Sequence, residues 1–171
     1  MKNKVALIIG AGDSLGSSIA RVFADDGLTV VVARRNGDKL SSLAEEIKEN
    51  GGECFFYSLD ARKEDDVINL INKIENEIGE ILVAVYNIGA NIRYGILETT
   101  SRKYYKVWEM AAFGAFLMGR EVAKKMVPRK KGTIIFTGAS ASVRGKEGFA
   151  AFAGAKPVSY THLTLPTKRI V

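Results

Sequence analysis

The stretch Lys4–Gly16, KVALIIGAGDSLG, decides how the rest of the chain is read. Its apolar run Val5–Ile9 stops at Gly10, and two further glycines follow at Gly12 and Gly16. Beyond them Ile19, Val22 and Phe23 alternate with Arg21, Asp25 and Asp26 at helical spacing. The pattern is a strand, a tight glycine turn and a helix. A helix N-terminus presents unpaired N–H groups and a partial positive charge, and glycines let a phosphate approach the backbone closely. Two readings stand here: a dinucleotide pyrophosphate site, or an ordinary βα turn that is rich in glycine.

Working outward, the alternation continues. Thr29–Ala33 (TVVVA) is an apolar, β-branched run suited to a strand buried on both faces, and Arg34-Arg35 end it. Asn36-Gly37 turns the chain. Asp38 is placed to cap a helix running to about Asn50, which Gly51-Gly52 terminate. Glu53–Leu59 reads as a third strand closed by Asp60, and Lys63–Ile78 as a helix with Val67, Leu70, Ile71 and Ile74 on one face. Ile81–Tyr86 is a fourth strand that ends in Asn87-Ile88-Gly89. One long helix is expected from Ser101 to Met126, and a fifth strand at Thr133–Thr137. Strands alternating with helices call for a parallel sheet covered on both faces, with right-handed crossovers. Ligands bind such sheets beyond the carboxyl ends of the strands. Gly10–Gly16, Arg34-Arg35, Asp60 and Asn87–Gly89 all fall at such ends.

Composition narrows the chemistry. A chain of 171 residues, 47% hydrophobic and 26% charged, suits one globular domain. With one cysteine, Cys54, and one histidine, His162, neither an internal disulfide nor a Cys-based metal cluster can form, and a zinc site or a Ser-His-Asp triad finds too few ligands. Cys54 reads as a small buried side chain. The net charge of +6 draws on Arg120, Lys124, Lys125, Arg129, Lys130 and Lys131. These read as a solvated helix face with cations near its C-terminus, the alternative being a nucleic-acid patch. No run is long enough for a membrane span, and the first apolar run is too short for a signal segment. A cytoplasmic protein without nucleic-acid or membrane partners is expected.

At this point the sequence resembles the short-chain dehydrogenase/reductase family over roughly residues 4–156. The glycine turn stands where that family has Thr-Gly-x-x-x-Gly-x-Gly, with Ile9 for the threonine and Ser14 for the middle glycine. Asp60 matches the family's acid after the third strand, and Asn87-Ile88-Gly89 the end of its Asn-Asn-Ala-Gly motif, with Tyr86 in place of the first asparagine. The resemblance implies an α/β fold, a Rossmann-like doubly wound parallel sheet in strand order 3-2-1-4-5 that lacks the family's last two strands. It implies cofactor contacts from Gly10, Gly12, Asp13, Ser14, Leu15, Gly16, Arg34, Arg35, Asp60, Ala61, Asn87, Gly89 and Lys156. A guanidinium at the end of the second strand matches a ribose 2′-phosphate, where a carboxylate would bind the 2′-OH. Ala33-Arg34-Arg35 holds no carboxylate, which favours NADP(H) over NAD(H). The bland reading of these arginines is two solvated residues ahead of a helix.

The family's chemistry is hydride transfer between nicotinamide and a carbonyl or alcohol carbon of a small molecule. A tyrosine in Tyr-x-x-x-Lys moves the proton, with a serine and an asparagine in support. Lys156 matches the lysine, but Phe152 stands at the tyrosine, Ala139 at the serine and Ala111 at the asparagine. None of the tyrosines at 57, 86, 94, 104, 105 and 160 has a lysine four residues on. Ser140 and Ser142, out of register, are the remaining catalytic candidates beside Lys156. Three readings follow: an NADP-dependent oxidoreductase, a catalytically silent dinucleotide-binding protein, or a fragment without function of its own.

The end of the chain departs from the family pattern. Residues 157–171 hold two of the three prolines, the one histidine and no acidic residue. They read as an unrelated tail after a domain of residues 1–156, with SYTHLTLPTKRIV resembling translated adapter or vector sequence. Pro157 should end the helix and displace Lys156 from helical geometry, and Val158–Leu165 reads as strand-like. Strand 133–137 would be left as an apolar edge. A full-length parent is expected to be a homo-oligomer, because the family pairs its long helices between subunits.

Overall fold

The computed structural model describes residues 3–161 and resolves two compact units, one built from the chain through Asn87 together with Leu117–Ile135, the other from residues 88–116 and the chain from 136 onward. In chain order the elements are β1 (Asn3–Ile9), α1 (Leu15–Asp25), β2 (Thr29–Arg34), α2 (Ser41–Glu49), β3 (Cys54–Ser58), α3 (Glu64–Lys73), β4 (Gly79–Tyr86), α4 (Ser101–Trp108), α5 (Gly114–Met126), β5 (Thr133–Phe136) and α6 (Ala150–Thr161). The sheet runs β3-β2-β1-β4-β5, and the β1–β2, β1–β4 and β2–β3 pairs are parallel. This is the Rossmann-like order the resemblance implied.

In the first unit, β1 and β2 owe their central position to unbroken apolar runs. Val5 to Ile9 and Val30 to Ala33 are all essentially inaccessible, as a strand covered on both faces requires. The period-two alternation of a strand divides them. Ala6, Ile8, Val30 and Val32 pack with Ala20, Leu43, Ala44, Ile47 and Cys54. The alternate residues Val5, Leu7, Ile9, Val31 and Ala33 are buried as well, as are Val67, Leu70, Ile71 and Val122 of the helices. Burial of one such side chain contributes roughly 1.5–3 kcal/mol. Cys54 is buried as expected, and desolvation pushes its thiol up to about 11. β5 is the edge strand, half-exposed on alternate residues, with Ile135 exposed.

Local structure differs from expectation at several places. Asp38 does not cap a long helix; it lies inside a 3₁₀ turn, Gly37–Leu40, and α2 starts at Ser41. The Gly37 N–H donates to the Ser58 hydroxyl at 3.0 Å, which pulls that turn against β3. The helix expected over Lys63–Ile78 divides into α3 and a π turn, Ile74–Ile78. That turn delivers Glu75 to the start of β4: its carboxylate accepts the Ile81 N–H at 3.0 Å and two guanidinium hydrogens of Arg129. The Arg129 guanidinium also donates to the Ile81 carbonyl. Arg120 pairs with Glu64 and Glu121, and Lys124 with Glu121, so this part of the basic run is an ion-paired helix face.

The long helix expected over Ser101–Met126 is broken by a π turn at Glu109–Phe113 between α4 and α5. Thr100 caps α4, its hydroxyl accepting the Lys103 N–H. The largest departure is at the end of the described chain. Pro157 lies inside α6, which runs on to Thr161, so Lys156 keeps helical geometry and residues 158–161 are helical rather than extended. A proline inside a helix removes one hydrogen bond and costs about 3 kcal/mol. Ala151, Phe152 and Ala155 of the same helix are buried, and burying a phenylalanine alone offsets a cost of that size. Residues 162–171, with His162 and the rest of the expected tail, lie outside the described residues.

Candidate functional site

The glycine turn joins β1 to α1 where the sequence places it. Gly10 takes φ +91°, a left-handed conformation that favours glycine, and its N–H donates to the Ala33 carbonyl at 2.8 Å. The Gly12 N–H closes back on the Gly10 carbonyl at 2.9 Å. A Cβ at Gly12 would meet nothing within 4 Å, whereas one at Gly16 would sit 2.6 Å from both the Ala11 Cα and the Gly10 oxygen. Gly16 is therefore needed for backbone packing, and Gly12 leaves room for a ligand. Ser14, at the N-cap of α1, makes no side-chain cap and the first turn holds no acidic residue. Instead the Ser14 carbonyl accepts the Ser17 and Ser18 hydroxyls. An open turn, an uncapped helix start and no competing carboxylate in its first turn fit a dinucleotide pyrophosphate. Leu15 opens α1 with its side chain exposed.

Around this turn the first unit gathers several groups expected to bind cofactor. Asn87 donates its side-chain amide to the Gly10 carbonyl at 3.1 Å, and its backbone N–H to the Ile9 carbonyl at 2.7 Å. It holds the turn. Arg34, at the end of β2, donates to the Asp13 carboxylate at 3.0 Å; Asp13 is exposed, and the arginine half-buried. Arg35 is exposed. Asp60 is gripped by Arg62, with contacts of 2.8 and 2.6 Å from the guanidinium and 3.2 Å from the backbone N–H. Those hydrogen bonds hold the Asp60 carboxyl below its usual range, and Arg35 adds to the effect. Ala61, in the turn between them, is buried. Tyr86 is fully buried, and burial first, then the Asp60 charge, push its hydroxyl well above the usual range. Arg62 went unseen in the sequence, where its spacing two residues after Asp60 was the only signal. The Asp13–Arg34 pair had no local signal, because the partners lie 21 residues apart.

The second unit holds the residues that the resemblance sets against catalytic positions. Lys156 is buried; its ammonium donates to the Thr137 carbonyl at 2.9 Å and the Ile88 carbonyl at 3.2 Å. Desolvation holds its pKa below the usual lysine value. An ammonium carries three donors, so one remains beyond these two carbonyls. Gly89, beside Ile88, is exposed with open space at its α-carbon. Phe152 and Ala111 are buried in one apolar cluster with Ala90, Val107, Ala151 and Ala155, and Ala139 packs against it. All three substituted positions thus face the same dry patch. Ser142 is buried and its Oγ accepts the Ala139 N–H at 3.1 Å, while Ser140 is exposed at the start of the same 3₁₀ turn. The π turn passes through Ala111; such turns inside helices often mark functional sites. Among the described residues no group of three or more His, Cys, Asp or Glu could hold a metal, and no helix is long and apolar enough to cross a membrane.

A parallel sheet whose first strand ends in an open glycine turn defines the class of dinucleotide-binding α/β proteins. A model of the family described as short chain dehydrogenase matches residues 4–164, and the chain belongs to that family. It is 31% identical, over 157 residues, to a 2-dehydro-3-deoxy-D-gluconate 5-dehydrogenase from Formosa agariphila, and 27% identical to a 2,3-dihydro-2,3-dihydroxybenzoate dehydrogenase from Bacillus subtilis. Both matches cover 91% of this chain and 60% of the relative, so the chain spans about three fifths of the length of these curated relatives. Among solved structures, a short-chain dehydrogenase from Rhodopseudomonas palustris is 47% identical with a TM-score of 0.88, covering 92% of this chain and 74% of the other. An actinorhodin polyketide ketoreductase variant solved with NADPH is 26% identical with a TM-score of 0.87, covering 93% of this chain and 63% of the other.

Proposed function

We propose that this chain is an NADP(H)-dependent oxidoreductase of the short-chain type, acting on a carbonyl or alcohol carbon of a small molecule. The observation that carries the reading is the turn that opens at Gly12, with Arg34 and Arg35 at the end of the neighbouring strand. The Gly10–Gly16 turn and the start of α1 would hold the pyrophosphate, Asp60 and Ala61 the adenine, and Arg34 and Arg35 the 2′-phosphate. The Asp13–Arg34 pair is no obstacle. Its carboxylate is 88% exposed, and an exposed ion pair is worth at most about 1 kcal/mol. Relatives named for a gluconate and a benzoate derivative support a small-molecule substrate. A cytoplasmic location goes with this reading.

When bound, the nicotinamide supplies or accepts a hydride. Lys156 has one donor left for the nicotinamide ribose. Phe152 has no proton to give, so the proton is assigned to a serine hydroxyl or to the substrate itself. Ser140 is the exposed hydroxyl, and Ser142 is tied to the Ala139 N–H. Losing a positioned general acid costs about 10²–10⁴-fold in rate, so slow turnover is expected.

A second reading, a dinucleotide-binding protein without turnover, draws on the apolar cluster that contains Phe152 and Ala111. The two separate in one experiment. NADPH absorbance is followed in the presence of a panel of aldehydes, ketones and keto acids, with NADPH binding measured in parallel. Substrate-dependent loss of absorbance, diminished in the double variant Ser140→Ala/Ser142→Ala, supports the enzyme. Binding without any loss supports the silent protein, and no binding overturns both.

A further inference from the structure

The second unit contains a cleft that none of the cofactor or catalytic positions occupies. It has a volume of about 560 Å³ and is lined by Arg93, Tyr94, Gly95, Glu98 and Lys146–Gly148, within the usual range of about 300–1,000 Å³ for small-molecule sites. Its two walls are tied together. Tyr94 bridges Phe149 in parallel register, and the Tyr94 carbonyl accepts the Ala150 N–H at 3.3 Å. Gly148 takes φ +77°, a conformation that favours glycine, and the Arg93 stem packs against it, its Cγ and Nε 3.3 Å from where a Cβ would stand. On the outer side Lys103 sits 3.5 Å over the Tyr94 ring.

The charges in this cleft are not equivalent. Glu98 is turned into its own loop, its carboxylate accepting the Gly95 N–H at 2.7 Å. Arg93 and Lys146 have no carboxylate within ion-pairing distance among the described residues. Arg93, a planar fork, and Lys146, a point charge whose ammonium lies 6.0 Å from the Phe149 ring centroid, line the cleft with two exposed carboxylates, Glu98 and Glu147, of which Glu98 is held by the Gly95 N–H. Guanidinium groups recognise planar oxyanions bidentately.

From this cleft we propose that Arg93 and Lys146 bind an oxyanion, carboxylate or phosphate, carried by the substrate. The inference rests on the reading of this chain as an oxidoreductase of small molecules, and names the class of molecule it takes.

The test is direct binding to the full chain by calorimetry. The probes are benzoate, gluconate and inorganic phosphate, with benzamide as the neutral control. Benzoate or gluconate should bind where benzamide does not, and Arg93→Gln and Lys146→Gln should each weaken binding about tenfold. Glu147→Gln should strengthen it, an opposite sign that general damage to the fold would not give. Binding led by phosphate makes the substrate a phosphate ester; binding led by the carboxylates makes it an acid. Equal binding of benzoate and benzamide, or anion binding unchanged by both cation variants, overturns the proposal. NADPH is titrated separately. Anion binding without NADPH binding leaves this site standing and removes the oxidoreductase reading; NADPH binding without anion binding removes only this site.

Discussion

The glycine turn of the first unit and the α6 region of the second show opposite fates for polar groups. At the turn, Gly12 stays open, α1 starts uncapped, and Arg34, Arg35 and Asp60 keep charges at the ends of β2 and β3. Around α6, Phe152, Ala111 and Ala139, which the resemblance sets against the family's tyrosine, asparagine and serine, pack in a dry cluster, and the buried Lys156 keeps its ammonium on two backbone carbonyls. Recognition of a phosphate uses backbone N–H groups and charge, which tolerate changes such as Ile9 and Ser14. Proton transfer needs one ionisable atom at one place, and a phenyl ring cannot stand in for it. On the proposed reading, the groups that bind and the groups that move a proton vary independently on one fold.

The largest expected effect restores the missing acid. Phe152→Tyr, combined with Ala139→Ser, should raise carbonyl-dependent NADPH oxidation by about 10²–10⁴-fold, read in a steady-state assay. An unchanged rate, with NADPH still bound, would mean that more than the hydroxyls has been lost from the second unit. Next in size, Gly16→Val should break the first unit. Its side chain would enter the Ala11 and Gly10 backbone, where overpacking costs about 1–3 kcal/mol or more. The melting temperature should fall and NADPH binding disappear with it. Arg34→Gln and Arg35→Gln should each weaken NADPH binding about tenfold while leaving NADH unchanged, since only the 2′-phosphate distinguishes the two. Equal losses for both cofactors would mean that the arginines support the turn rather than the phosphate.

The smallest effect concerns pH. Arg62 holds the Asp60 carboxyl below its ordinary value. A lowered carboxyl stabilises the fold fully above its unfolded value of about 3.9, and that stability is lost as pH falls through the folded value. Asp60→Asn should therefore lower stability by at most about 1 kcal/mol near neutrality, since solvent screens the pair, with the gap to wild type closing under acid. A gap that stays constant on acidification would contradict the charge pairing as its cause.

Much of the fold was legible because its signals are local. The apolar runs at Val5–Ile9 and Thr29–Ala33 and the glycines at 10, 12 and 16 specify strand, turn and helix without reference to distant partners. Three features were not legible, for different reasons. The π turns at Ile74–Ile78 and Glu109–Phe113 add one residue to a helical ladder, which hydrophobic periodicity does not resolve. Arg129 reaches Glu75 from 54 residues away, and nothing in the local sequence announces it. Pro157 departs from expectation because its propensity is a local penalty, whereas the buried Phe152, Ala155 and Lys156 hold α6 by tertiary contacts. Of the candidate site, the glycines, Arg34, Arg35 and Asp60 could be proposed from their positions at strand ends alone. The partners that restrain the charged groups, Asp13 for Arg34 and Arg62 for Asp60, emerged only from the folded chain.

Calorimetric titration of the full wild-type chain with NADPH and, separately, NADH tests the central claim most directly. Saturable binding of NADPH, about tenfold or more tighter than NADH, is the predicted result. Absence of NADPH binding, or NADH bound as tightly, would contradict the assignment of the glycine turn and the β2 arginines to an NADP(H) site.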